Sequence, residues 1–361
     1  MEHDLSGAQR LIRSLIDTGE IDGAGVAVAI GTEPVAEWYT GYASGKVPAG
    51  PETLWPLASI SKLYTAAALM SVVEDGLLTL SMRLADVLPE FDSDQLADTR
   101  LWHLLTHTSG MIYESPEMEY LLANRVPLPQ IIDEAFTFTV TGKPGTRFEY
   151  SDYGIALAAR AAEVVTGQSF PDLVQERVIS PASLHDTHFP PNPSVYDRIA
   201  TIRDVPATGT AGEMYNSDYC RSLEHPSFGV YASVQDLLQF GLLFHPVRRR
   251  SILSRATVAS MTRDQLGGGR TGGLVDVELT DPQPWGLGFM VRGSTLQLGF
   301  GELATEQAFG HPGASGCVLL VDPLLDVSIA FASNRHAVSG FDRFLYREAA
   351  VTNALLAAMT R

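Results

Sequence analysis

Cysteine, lysine and long apolar runs are all scarce in this sequence of 361 residues. The two cysteines, Cys220 and Cys317, are too few for a disulfide framework, and we interpret both as small buried side chains. No apolar run reaches the roughly 18 residues that a membrane-spanning helix needs. The first residues also lack the basic and apolar regions of a secretory signal. We therefore expect a cytoplasmic protein with no membrane partner.

Positive charge is also in short supply, since the formal net charge is −17. A nucleic-acid-binding surface needs a basic face to neutralise phosphates, so we expect no nucleic-acid partner. Lysine occurs only at positions 46, 62 and 143, which draws attention to Lys62. With 45% hydrophobic and 19% charged residues, the chain has the composition of a globular protein.

Hydrophobic periodicity predicts strands near both ends of the chain and helices between them. The predicted helices span residues 5–18, 59–75, 147–166 and 341–359, and the predicted strands span 25–30, 35–42, 286–291, 317–321 and 327–332. Glycines at 267–269 and 272–273 predict a mobile loop. This order predicts an α/β (α+β) fold of two lobes, with a central antiparallel sheet flanked by the N- and C-terminal helices. The sheet domain would comprise residues 1–78 and 226–361, and a mainly helical domain residues 79–225.

The first candidate for chemistry is Ser59-Ile60-Ser61-Lys62, at the start of a predicted helix. Residues i and i+3 share a helix face, so the Lys62 amine can reach the Ser59 hydroxyl. Serine is a poor nucleophile without such a neighbouring base, and the amides of a helix N-terminus suit an oxyanion. On its own, the motif is explained equally well by Ser59 as an N-cap and Lys62 as a surface residue.

Two further segments give the motif a context. Tyr150-Ser151-Asp152 lies at a predicted loop-to-helix junction, and His311-Pro312-Gly313 leads into a strand. With the Ser-x-x-Lys motif, they resemble the three signature elements of the serine β-lactamase and penicillin-binding-protein superfamily, in the same order and at class-C-like spacing. Segments 74–80, 104–111 and 229–237 are also similar to that family, so the resemblance covers nearly the whole chain and implies its two-lobe fold.

The resemblance implies a role for each of these residues. Ser59 would be the nucleophile, Lys62 and Tyr150 a coupled base and acid, and His311 a further catalytic-site residue. The backbone N–H groups of Ser59 and Ala314 would form the oxyanion hole. Burial is expected to lower the pKa of Lys62, and the ammonium to favour a tyrosinate at Tyr150. Which of the two is the base stays open.

Four residues are candidates for substrate binding: Tyr113, Asp152, Trp285 and Gly313. Tyr113, Trp285 and also Phe289 could line an acyl pocket, but for each of them ordinary core packing is the commoner role.

Two positions depart from the β-lactamase pattern. Asp152 stands where penicillin-recognising members usually carry Asn, and a carboxylate cannot donate a hydrogen bond to an acylamino carbonyl, a mismatch of about 1–3 kcal/mol. His311 stands where Lys commonly pairs with the substrate carboxylate. This profile resembles the family VIII carboxylesterases. We expect a serine hydrolase that takes a small-molecule ester or amide, most of all a short-chain ester, and uses neither cofactor nor metal.

Several alternatives stay open. They are a D-amino-acid peptidase or amidase, a β-lactamase, an acyltransferase, and a catalytically silent penicillin-binding-like sensor, and a homo-oligomer is compatible with each. An α/β-hydrolase is disfavoured because the sequence contains no Gly-x-Ser-x-Gly. A zinc site at His103 and His107, or at His185 and His188, is disfavoured because the sequence contains no His-Glu-x-x-His and no cysteine cluster.

Overall fold

A computed structural model describes residues 3–248, 251–275, 277–294, 299–337 and 340–361. The strands are β1 (Gly23–Ile30), β2 (Glu33–Ser44), β3 (Val47–Pro48), β4 (Trp55–Pro56), β5 (Phe148–Glu149), β6 (Thr187–His188), β7 (Tyr231–Ala232), β8 (Arg270–Leu274), β9 (Val277–Gln283), β10 (Met290–Val291), β11 (Phe309–Gly313), β12 (Cys317–Asp322) and β13 (Val327–Ser333). The helices are α1 (Ser6–Asp17), α2 (Ser61–Glu74), α3 (Leu101–Leu105), α4 (Met118–Ala123), α5 (Leu128–Asp133), α6 (Asp152–Thr166), α7 (Phe170–Val174), α8 (Asp218–Arg221), α9 (Val234–Leu242), α10 (Arg255–Met261) and α11 (Phe341–Met359).

A seven-stranded antiparallel sheet, in the order β10-β11-β12-β13-β1-β2-β3, forms the centre of the molecule. Side chains alternate between the two faces of a strand. On β1, Val26 and Val28 join the apolar cluster that includes residues of α1 and α11. Ala27 and Ala29 join the cluster on the other face, which includes residues of α9. Because both faces are covered, this strand is apolar along its whole length.

Helix α2 is buried on nearly all sides and packs against α6 and α7. A helix that is apolar all round belongs in the interior of a protein. Packing on several sides holds α2 in place, and with it Lys62, which lies in the first turn of this helix. Cys220 and Cys317 are free and buried, as the sequence predicts.

Three local predictions are wrong. The helix predicted over 147–166 begins only at Asp152, where the Ser151 hydroxyl accepts a hydrogen bond from the Gly154 N–H, and the residues before it form β5. In the segment 286–291, only the last two residues form a strand, β10. Gly272 is in β8 rather than a mobile loop, because β8 pairs with β5 so closely that a Cβ at Gly272 would lie 1.7 Å from the Phe148 carbonyl oxygen.

The predicted fold class is confirmed. The chain has a mixed α/β fold whose main sheet takes strands from residues 23–48 and 290–333, with α1 and α11 packed together beside it. Helices α3 to α8 all lie between residues 101 and 221. Two three-stranded sheets, β4-β7-β6 and β5-β8-β9, complete the architecture, and the second of these supports Tyr150.

Candidate active site

Ser59 lies in a short 3₁₀ turn, Ala58–Ile60, which leads directly into α2. The preceding Ala58 has φ +47°, a left-handed conformation that is unfavourable for a residue with a side chain. Such strain persists only where the surroundings enforce it, and it is common beside reactive groups. The Lys62 ammonium, one turn further along, donates a hydrogen bond of 3.0 Å to Ser59 Oγ. The Ser-x-x-Lys spacing thus produces the contact that the sequence predicts.

Lys62 is fully buried and has an anionic partner. Its Nζ lies 2.6 Å from Asp152 Oδ1 and 3.3 Å from the Ser227 carbonyl oxygen. Burial lowers the pKa of Lys62, but Asp152 and Tyr150 raise it by more, so the pKa lies above its usual range. The expectation that burial leaves Lys62 with a lowered pKa is wrong, because Asp152, which the motif assigns to substrate binding, is instead the ion-pair partner of Lys62. The resting side chain is an ammonium.

Tyr150 lies beside both Lys62 and His311. The Lys62 Nζ is 4.8 Å from the centre of the Tyr150 ring, and the Tyr150 hydroxyl is 3.4 Å from His311 Nε2. Burial raises the pKa of Tyr150; Lys62 lowers it, Asp152 raises it, and the net shift is upward. The expected tyrosinate is therefore also wrong for the resting site, in which Tyr150 is a phenol.

The imidazole of His311 has a defined tautomer. Its Nδ1 lies 2.6 Å from the Pro312 carbonyl oxygen, which can only accept, so Nδ1 carries the hydrogen. Nε2 is then the acceptor for the Tyr150 hydroxyl. Burial and the neighbouring Lys62 lower the pKa of His311 to about 3, so this side chain is neutral at physiological pH.

Main-chain hydrogen bonds fix the segment between β5 and α6. The Tyr150 N–H donates to the Gly273 carbonyl oxygen at 2.9 Å, and the Asp152 N–H to that of Tyr113 at 2.8 Å. Between them, the Ser151 N–H donates to His107 Nδ1 at 3.1 Å. His107 thus holds the loop that carries Tyr150.

The end of β11 approaches the chain just before the nucleophile. A Cβ at Gly313 would lie 2.3 Å from the Leu57 carbonyl oxygen, so glycine is required there. The next residue, Ala314, lines the same cavity as Ser59. This arrangement is compatible with the predicted oxyanion hole of two backbone N–H groups.

The cavity over Ser59 is mainly apolar. Its lining consists of Ser59, Tyr113, Tyr150, Leu274, Val275, Met290, His311, Pro312, Ala314, Phe344 and Leu345. The sequence motifs do not reveal the apolar lining residues of β8, β10 and α11. An amphipathic helix pattern shows which residues of α11 are apolar, but not which of them face a cavity.

The predicted residues do not all meet at this cavity. Tyr113 does, as do Ser59, Tyr150 and His311. Trp285 is fully buried against Tyr150, His107 and His311 and is not among the lining residues. Asp152 is likewise absent from the lining and pairs with Lys62 instead of facing substrate.

Within the described ranges, no group of three or more His, Cys, Asp or Glu side chains is placed to hold a metal ion. Nor does any helix there have the length and apolarity needed to cross a membrane.

Comparison with known proteins places the whole chain in context. The profile of the family described as Beta-lactamase matches residues 8–354. Penicillin-binding protein 4 of Amycolatopsis lactamdurans is 28% identical over 311 residues, which cover 82% of this chain and 76% of that protein. A lovastatin esterase of Penicillium rubens is 31% identical over 209 residues, about half of each chain (50% and 51%). The crystal structure of a family VIII carboxylesterase superposes with a TM-score of 0.74 at 22% identity, covering 95% of this chain and 97% of the other.

Proposed function

Since the chain belongs to the Beta-lactamase family, we propose that it is a carboxylesterase that cleaves short-chain or small-molecule esters through an acyl-enzyme on Ser59. The family and the fold make the chain a serine hydrolase of the β-lactamase and penicillin-binding-protein superfamily. The substrate class and the roles of individual residues are the proposal. The lovastatin esterase relative and the family VIII structural neighbour both support an ester substrate.

The observation that carries the proposal is the absence of a charged side chain among the described residues that line the cavity. His311, at the position where a carboxylate-binding lysine is common, is neutral because its pKa lies at about 3. The positive charge of Lys62 is already balanced by the Asp152 carboxylate. A substrate carboxylate would therefore lose its hydration without gaining a cationic partner, which is unfavourable. The net charge of −17 also repels anions at long range.

A neutral ester needs no cationic partner in the site. Lys62 first gives up an ammonium proton, and Ser59 Oγ then attacks the carbonyl carbon as its own proton passes to the Lys62 amine. The carbonyl oxygen becomes an oxyanion facing the N–H groups of Ser59 and Ala314. As the C–O bond breaks, the leaving alkoxide takes a proton from the Lys62–Tyr150 pair. Water then attacks the acyl-enzyme and releases the acid by the reverse proton transfers.

The test compares kcat/KM for p-nitrophenyl butyrate and for nitrocefin, a chromogenic β-lactam. We expect the ester value to exceed the nitrocefin value by at least about 100-fold, since an unpaired polar group in a closed site is strongly discriminated against. A nitrocefin value equal to or above the ester value would return the protein to the β-lactamase or D-peptidase branch.

Ser59→Ala is the matched control. It should lose at least about 10³-fold in kcat and all labelling by a fluorophosphonate probe, because the covalent route is removed. Near-wild-type turnover in this variant would refute Ser59 as the nucleophile.

A further inference from the structure

A buried ion pair lies directly behind the nucleophile. Lys62 Nζ and Asp152 Oδ1 are 2.6 Å apart, and the two side chains are 0% and 4% exposed. We propose that Asp152 acts through Lys62 as the final proton acceptor of a Ser59–Lys62–Asp152 relay. This inference rests on the proposed acyl-enzyme chemistry at Ser59 and deepens it.

The contacts of Lys62 show why a second acceptor is needed. Its Nζ donates hydrogen bonds to the Ser59 hydroxyl and the Ser227 carbonyl, and it forms an ion pair with Asp152 Oδ1 at 2.6 Å. An ammonium has no lone pair, so Lys62 cannot take the Ser59 proton until it gives one away. Of the three oxygens, only that of the carboxylate can hold that proton as a stable neutral acid.

The step balances as two proton transfers. An N–H bond of Lys62 breaks and an O–H bond forms on Asp152, which leaves a neutral amine and a carboxylic acid. The amine then takes the hydrogen of Ser59 Oγ as the Oγ–C bond to the substrate forms. The lysine is again an ammonium, the aspartic acid is neutral, and the negative charge is on the oxyanion. When the leaving group departs, the proton travels back through Lys62 and restores the ion pair.

Asp152 is held in place for this role. Its backbone N–H donates to the Tyr113 carbonyl oxygen, and its own carbonyl oxygen accepts from the Ser227 hydroxyl at 3.0 Å. Burial raises the pKa of Asp152 above its usual range even though Lys62 opposes the shift. A carboxylate with a raised pKa is a better proton acceptor than an exposed one. Asp152 is thus a positioning residue that acts through Lys62.

The other titratable groups that face Lys62 do not compete with Asp152. Burial lowers the pKa of His225 and of His311 to about 3 and that of His107 well below its usual value, and in each case Lys62 lowers it further. Tyr150 keeps its proton because its pKa is raised. All four are neutral near pH 7. Asp152 is the one carboxylate paired with Lys62 in the described part of the chain.

The pH dependence of acylation separates the relay from a simple anchoring role. In the relay, the ion pair is the active form, so acylation fails only when Asp152 is protonated, at acidic pH. If Asp152 merely anchors an ammonium, Lys62 must first lose a proton to solvent, and acylation requires alkaline pH. The acid limb is the part of the pH–rate profile in which acylation falls as the pH decreases. Replacing the carboxylate by an amide shifts this limb to higher pH if Asp152 works in the relay, and to lower pH if it only anchors the ammonium.

The experiment uses Asp152→Asn, which keeps the shape of the side chain and removes its charge. The rate of fluorophosphonate labelling and kcat/KM for p-nitrophenyl butyrate are measured from pH 6 to 10. We expect a flat wild-type profile between pH 6 and 8, and a loss of at least about 10-fold at pH 7 in the variant that recovers toward pH 10. Asp86→Asn, which breaks the half-exposed Arg83–Asp86 pair, is the matched control and should follow the wild type.

An acid limb that moves down, or does not move, overturns the relay. If Asp152→Asn does not fold, the pH–rate profile of the wild type alone tests the relay. A wild-type acid limb above pH 8 would contradict it. Labelling does not depend on the substrate class. An enzyme that prefers nitrocefin but shows the upward shift would refute the esterase proposal and support the relay. An enzyme that prefers the ester but lacks the shift would support the esterase proposal and refute the relay.

Discussion

Several histidines are buried and uncharged, and we predict that they make the fold sensitive to mild acid. Burial lowers the pKa of His225 and His311 to about 3 and that of His336 to about 4, from 6.5. The unfolded chain therefore binds more protons than the native state at any pH between these values. Stability is fully present above pH 6.5 and is lost as the pH falls below it.

The size of the effect follows from the distance to the unfolded pKa. pH 5 lies 1.5 units below the ordinary histidine pKa of 6.5. At about 1.4 kcal/mol per unit, each buried histidine therefore lowers the free energy of unfolding by about 2 kcal/mol at this pH. The three together cost about 6 kcal/mol, against a typical total stability of about 5–15 kcal/mol. Urea unfolding at pH 7.5 and pH 5, followed by circular dichroism, measures this loss.

His225 offers a clean test of one contribution. Its Nδ1 accepts a hydrogen bond from the Ser227 N–H at 3.1 Å, and its ring stacks on Phe228. In His225→Asn, the amide oxygen can replace Nδ1 as acceptor while the titration disappears. We expect the difference in unfolding free energy between pH 7.5 and pH 5 to shrink by about 2 kcal/mol. His185→Asn, at an exposed position, is the control. A pH dependence of stability that is identical in His225→Asn and wild type would refute the reasoning.

Two further predictions concern the machinery around Ser59. Lys62→Ala and Tyr150→Phe should each lose at least about 100-fold in kcat. The double variant should be little worse than either, because the effects of groups that act as one proton-transfer unit are not additive. If the two losses multiply in steady-state kinetics, the two residues act independently. Gly313→Ala should lose at least about 10-fold in kcat and lower Tm, since the new Cβ would lie 2.3 Å from the Leu57 carbonyl oxygen and push β11 from the nucleophile. A fully active variant would show that this close approach does not matter.

The sequence predicts the parts of the site that depend on local spacing. Ser59 and Lys62 meet because residues three apart share a helix face, and α11 has the predicted bounds because its apolar pattern is regular. The strand pair β5–β8 joins residues more than 120 positions apart, so no local pattern reveals it. The Ser151 cap was the signal that could have placed the start of α6 correctly.

Asp152 shows the limit of reasoning from a motif. Its position in the Tyr150-Ser151-Asp152 element predicts a side chain that faces substrate. The structure turns it toward Lys62, and that contact reverses the expected protonation of Lys62. The expected protonation of Tyr150 is reversed chiefly by burial, with Asp152 as a smaller cause. The predicted burial of Lys62 was the available signal, since a buried charge requires a partner.

The order of strands in the main sheet affects how the protein is made. Strand β1 lies between β2 and β13, and Ala24 pairs with Ser333 across about 300 residues of chain. During synthesis, β1 and β2 leave the ribosome early, but the open side of β1 stays without its neighbour until β13 has been translated. An apolar strand with one free edge is a template for pairing with other chains. The growing chain thus passes through a prolonged stage at risk of aggregation, and a chaperone that shields this edge should raise the yield of active enzyme.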